Sequence, residues 1–232
     1  MPGLPQGLSA AGGAAPLCLG MLKSRRTPSA LTQTRTMHAP PTRRALLLAC
    51  LCLPWAAAAQ DAPLLVEGQP FQRRVRLAGV ELLLNGTGVR AVAWFKGYAA
   101  GLYLSSRART AAQAVAMAGP KRLQLRMLKE VPAQEFVKAF DKGVKRNASA
   151  EELPQLSARM ARFAALIQGL GTVHDGDVVD LDYDPAQGLS FLLNGTLRGA
   201  PIAGEDFYAA LLRSFVGDKP YDAKLKAGLL GA

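Results

Sequence analysis

Beyond residue 52 the sequence holds no cysteine: Cys18, Cys50 and Cys52 all sit near the start. The rest of the chain therefore has no disulfide, thiolate ligand or thiol nucleophile. Histidine is almost as scarce, with His38 and His174 alone in the chain. One histidine without cysteine cannot assemble a metal site, so no metal is expected. Glycine-rich phosphate loops, dinucleotide fingerprints and serine nucleophile elbows are missing as well, and no cofactor is expected. No acidic residue precedes Asp61.

Residues 1–36 are rich in Pro, Gly, Ala, Ser and Thr and lack a sustained apolar period. Such a stretch buries too little surface to offset its ordering entropy. It reads as a disordered extension, as a longer targeting segment, or as sequence upstream of a start at Met37. Residues 37–59 have the build of a secretory signal peptide: Arg43-Arg44, an apolar run from Ala45, and the small residues Ala57-Ala58-Ala59. The run is too short to span a bilayer, which takes roughly 20 apolar residues. Thr42-Arg43-Arg44 faintly resembles a twin-arginine signal, and Leu47-Leu48-Ala49-Cys50 a lipoprotein cleavage site. Ordinary cleavage yields an exported, periplasmic domain of bacterial type spanning residues 60–232, with no transmembrane segment.

Export changes the charge account. Six of the 28 Lys and Arg precede residue 60 and none of the 17 Asp and Glu does, leaving 22 against 17, or +5. The remaining cations are scattered without interleaved aromatics, which argues against nucleic acid as a partner.

Apolar spacing sets the expected elements. Asn85-Gly86 between apolar runs predicts a hairpin turn, with strands over 72–84 and 89–95 and another over 98–104. Thr110 caps a short helix over 111–118. Lys121 to Lys129 alternates as a strand, and Pro132 opens a helix with Phe136, Phe140 and Val144 on one face. Ser149 and Glu152 form a capping box before a helix carrying Leu156, Met160, Phe163 and Ile167. Strands follow over 178–183 and 188–193, turned again at Asn194-Gly195. A helix over 207–215 and a short one from Asp222 to Ala227 end the chain. The expected fold class is α+β, an antiparallel sheet with helices on one face.

Few side chains offer chemistry. His174 lies in a Gly/Asp-rich turn, read as solvated. Asp180, Asp182 and Asp184 share one strand face, read as a polar, solvent-facing side. Three formal glycosylation sequons, at Asn85, Asn147 and Asn194, are discounted for a bacterial chain. Arg90 stands on an otherwise apolar strand. It is either exposed on an alternating strand or faces the covered side, where a buried charge demands an anion or acceptors.

The segments Leu84-Asn-Gly-Thr-Gly-Val-Arg90 and Trp94-Phe-Lys-Gly-Tyr-Ala-Ala-Gly-Leu-Tyr-Leu104 resemble the opening of the chalcone isomerase-like family. The likeness continues through Pro132 to Asn147 and Leu211 to Gly217, covering roughly 72–230. It implies an open-faced β-sandwich, a curved antiparallel sheet with helices against it and a ligand cleft between. In the plant isomerases an arginine and several hydroxyl or amide groups stabilise a developing anion. Arg90 matches the arginine and Ser214 the last hydroxyl position. Tyr98 stands where the non-catalytic fatty-acid-binding branch has its tyrosine. Phe136 replaces a tyrosine, and the asparagine position falls near Gly143.

The resemblance thus implies a non-catalytic binding protein for a fatty acid or other apolar carboxylate. Arg90, Tyr98, Tyr103 and Ser214 would grip the head group, with Phe136 and Phe140, joined by Met160 and Phe163, along the chain. The alternatives are an isomerase (intramolecular lyase) using Arg90 and Tyr98, and an envelope interaction module.

Overall fold

The computed structural model of the chain describes residues 62–92 and 95–232. The expected signal peptide over 37–59 and the extension expected before it lie outside them.

Two short strands, β1 (Leu64–Val66) and β2 (Gln69–Phe71), form a hairpin of their own, turning at Glu67-Gly68 in the left-handed region. This unit carries no signal strong enough to predict it. The main sheet has seven strands. β3 (Arg74–Leu77) turns at Ala78-Gly79 into β4 (Val80–Val92), which pairs with β5 (Phe95–Leu104). After α1 (Ala111–Ala116) comes β6 (Lys121–Met127); β7 (Val131–Pro132) then leads into α2 (Ala133–Asn147) and α3 (Glu152–Gln168). β8 (Thr172–Val173) pairs with β7. The second meander is β9 (Val178–Asp184), β10 (Gly188–Leu193) and β11 (Thr196–Leu197), and the chain closes with α4 (Glu205–Val216) and α5 (Ala223–Leu229). The sheet order is β11-β10-β9-β6-β5-β4-β3, antiparallel throughout. The expected α+β class is what the chain adopts.

Local chemistry accounts for most boundaries. Thr110 and Gln113 form a complete capping box at α1, and Ser149 and Glu152 exchange the same reciprocal bonds at 2.9 and 3.2 Å. Asn194-Gly195 takes positive φ at both positions, the turn expected of it. Phe140 and Val144 are buried on α2, each such side chain contributing roughly 1.5–3 kcal/mol.

Asn85-Gly86 behaves otherwise. It is not a hairpin turn: β4 runs straight through it, with a register shift between Leu84 and Gly86. Asn85 is buried, and its side chain is fully engaged. Nδ2 donates to Ala108 O (3.0 Å) and Leu229 O (2.8 Å), while Oδ1 accepts from Ala108 N at 2.7 Å. A turn-forming pair has been used as a bulge because its amide satisfies three buried backbone groups.

The bulge reverses the strand's faces. Before it, Leu82 and Leu84 pack on the outer face with Phe71, Ala99 and Tyr103. After it, Gly86, Gly88 and Arg90 lie opposite Leu102, Ala100 and Tyr98, on the face that meets the helices. A Cβ on Gly86 would collide with Gly228 O, and one on Gly88 would meet Leu225, so the two glycines let α5 lie directly on β4.

Candidate functional site

A cavity of about 290 Å³ lies between the sheet and α2, α3, α4 and α5. Its size falls near the lower end of small-ligand sites. The lining is mostly apolar. Phe140 meets Phe163 edge-on (centroids 4.8 Å apart), and Phe163 meets Phe191 at 5.6 Å. Phe136 lies 6.2 Å from Tyr98. Phe136 and Phe140 therefore line the cavity as expected, and so does Phe163. Met160 is buried in the core but is not part of the wall.

Arg90 and Tyr98 face each other across β4 and β5 and both border the cavity. The Arg90 side chain keeps 24% of its exposure, so it is neither on an open surface nor sealed. Its Nη1 donates to Asp222 Oδ2 and to Ala91 O, each at the long distance of 3.3 Å. Among the described residues, Nε and Nη2 make no hydrogen bond, and neither does the Tyr98 hydroxyl. Burial pushes the Tyr98 hydroxyl far above its ordinary pKa against the opposing pull of Arg90, so it stays protonated.

Asp222 and Tyr221 were not expected here. Asp222 caps α5, with Oδ1 accepting from Lys224 N (2.9 Å) and Leu225 N (3.0 Å). Burial raises its pKa, but amide bonds from Leu225, Ala91 and Lys224 and the Arg90 guanidinium outweigh that, leaving it below the usual carboxylate range. The Tyr221 hydroxyl donates to Ala139 O at 2.6 Å. Arg90 and Arg146 both lie near its ring, at 5.6 and 5.7 Å from the centroid. The cap signal was visible in the sequence, but its partner Arg90 is 132 positions away.

Ser214 borders the cavity, yet its hydroxyl donates to Leu211 O at 2.6 Å and is already committed. Gly143 brings α2 against α4: a Cβ there would stand 2.7 Å from Ser214 Cβ. Tyr103 corrects the sequence reading. Strand alternation puts it on the outer face with Phe71 and Leu82, away from the cavity. Its hydroxyl is buried without a partner among the described residues, and burial pushes it up to about 12.

The aspartates of β9 also differ from expectation. Asp180 and Asp182 are buried. Arg122 grips Asp182 through Nε and Nη2 at 2.6 and 2.5 Å, and Gln124 donates to Asp180 at 2.8 Å. His174 is exposed, with Nδ1 3.1 Å from Glu130. Among the described residues no group of three or more His, Cys, Asp or Glu is placed to hold a metal, and no helix is long and apolar enough to cross a membrane.

A family model described as chalcone isomerase-like matches residues 64–231. No curated protein sequence matches the chain. Among solved structures, the crystal structure of the Arabidopsis thaliana fatty-acid binding protein AtFAP1 is similar, with a TM-score of 0.53 and 15% identity. The match covers 70% of this chain and 92% of that one. At that identity the likeness speaks to the fold alone.

Proposed function

The chain belongs to the chalcone isomerase-like family, and from that premise we propose that it is a periplasmic binding protein for a fatty acid or similar apolar carboxylate. The carrying observation is the pair Arg90 and Tyr98, with donors that have no partner among the described residues, at a mostly apolar cavity. An acyl chain gains from apolar burial, and a head group gains from donors already oriented and partly desolvated. The similar fold of the plant fatty-acid binding protein supports this reading.

An isomerase reading has less to draw on. Preorganised donors typically contribute about 10²-fold each or more to such a reaction. Beyond Arg90 and Tyr98, the Ser214 and Tyr221 hydroxyls already donate to backbone carbonyls, and Phe136 offers no polar group.

Calorimetric titration with decanoate tests the proposal. Wild-type protein is expected to bind, and Arg90→Ala to lose at least about 100-fold in affinity, the scale of a charge-assisted contact. Equal affinity in both proteins contradicts the assignment. Recovery of the protein from the cytoplasm on cell fractionation contradicts the periplasmic half.

A further inference from the structure

Among the described residues Asp222 is the one carboxylate hydrogen-bonded to Arg90, and it cannot swing aside to make room for a ligand. Its Oδ1 is held by two backbone amides at the start of α5, and α5 is pressed onto β4 through Gly86 and Gly88. The anchor therefore consists of a cation and a fixed anion 3.3 Å apart, with side-chain exposures of 24% and 14%. Its net charge is zero before any ligand arrives. A carboxylate approaching Nε or Nη2 of Arg90 is attracted by the guanidinium and repelled by Asp222 at nearly the same range, in a site where water screens poorly.

Among the described residues no second cation pairs with Asp222, so at the head group its charge is offset by Arg90 alone, and the other cations stand farther off. β4 contributes Arg90 and β5 contributes Tyr98, a neutral donor. α2 contributes Glu135, paired with Lys138 at 2.8 Å, and across the Tyr221 ring Arg146, with Asp141 nearby paired with Lys145. From α5, Lys226 is bound to Gly217 O, and Lys224 is exposed. α4 presents only the neutral Ser214.

We infer that the site takes its ligand as a neutral head group that both donates and accepts hydrogen bonds, so that a carboxylate binds together with a proton. The acid's carbonyl oxygen accepts from Arg90 and Tyr98, and its O–H donates to Asp222. No bond to carbon forms or breaks; one proton passes from solvent to the bound ligand. The inference rests on the carboxylate-binding reading above and makes Asp222 the residue that sets head-group preference.

The sign follows from linkage. A bound carboxyl held protonated above its free pKa binds tightest at low pH. Its affinity then falls about tenfold per pH unit between the free and bound pKa values, and is level on either side. The experiment is calorimetric titration of the full chain with decanoate and with decan-1-ol between about pH 5 and pH 8, in buffers of different ionisation enthalpy. Wild type is expected to lose about tenfold or more in decanoate affinity across that range and to take up close to one proton, while decan-1-ol binding stays level. Asp222→Asn keeps an oxygen for the α5 cap, so it should melt like wild type. It is expected to bind decanoate about tenfold tighter than wild type at about pH 7.5, with a flat profile.

A flat wild-type decanoate profile without proton uptake, or an Asp222→Asn profile matching a sloping wild-type one, overturns the inference and leaves the carboxylate reading standing. No binding of either ligand at any pH overturns both.

Discussion

Two arginines of the same sheet, one on each face, are used in opposite ways. On the outer face Arg122 has its fork closed on Asp182, stands 3.7 Å from Asp180, and belongs to a chain that runs on through Gln124 to Arg126. On the cleft face Arg90 makes two long contacts through a single nitrogen, beside an apolar cavity. Arg122 is tied by a two-point fork to a buried carboxylate, whereas Arg90 has one long contact to Asp222 and borders a cavity. Charge and residue type do not separate these cases; the geometry of the ion pair does.

The sharpest way to break the comparison is stability. Arg122→Ala leaves Asp180 and Asp182 buried without their counter-ion and should lower the unfolding free energy by about 3–5 kcal/mol. Arg90→Ala should stay within about 1 kcal/mol of wild type, since its contact to Asp222 is a single long one and Asp222 keeps its two backbone amide bonds. Denaturant titration of both variants checks this, and equal losses would erase the distinction. Next in size is Asn85→Ala, which strands three buried backbone contacts and should cost about 2–3 kcal/mol. Because the bulge puts Arg90 on the cleft face, ligand affinity should fall with it; a variant destabilised but binding normally would break that link. The smallest effect is at Tyr98→Phe, which removes one unpartnered hydroxyl. Its stability should be unchanged and its decanoate affinity about tenfold weaker, the value of a single hydrogen bond to a polar head group.

The sequence made the sheet and helices legible where one rule acted alone. Alternation located β6 and β9, and the reciprocal Ser149–Glu152 signature located α3. Asn85-Gly86 failed because its turn propensity was outweighed by partners at Ala108 and Leu229, distant in sequence. Strand parity decided the site residues. Tyr98 pairs with Arg90 and falls on the cleft side, and Tyr103, five positions on along β5, falls on the opposite face by alternation alone. The β9 aspartates looked solvated because their counter-ion, Arg122, sits on a neighbouring strand 60 positions away. In the sequence Asp222 reads only as the start of a short helix, and its contact with Arg90 spans 132 positions.

Native mass spectrometry of the protein recovered gently from cells tests most directly whether Arg90 anchors an apolar carboxylate. An added mass is expected that extracts as an acyl carboxylate and is missing from Arg90→Ala. Wild-type protein that emerges empty and stays empty in added decanoate would contradict it.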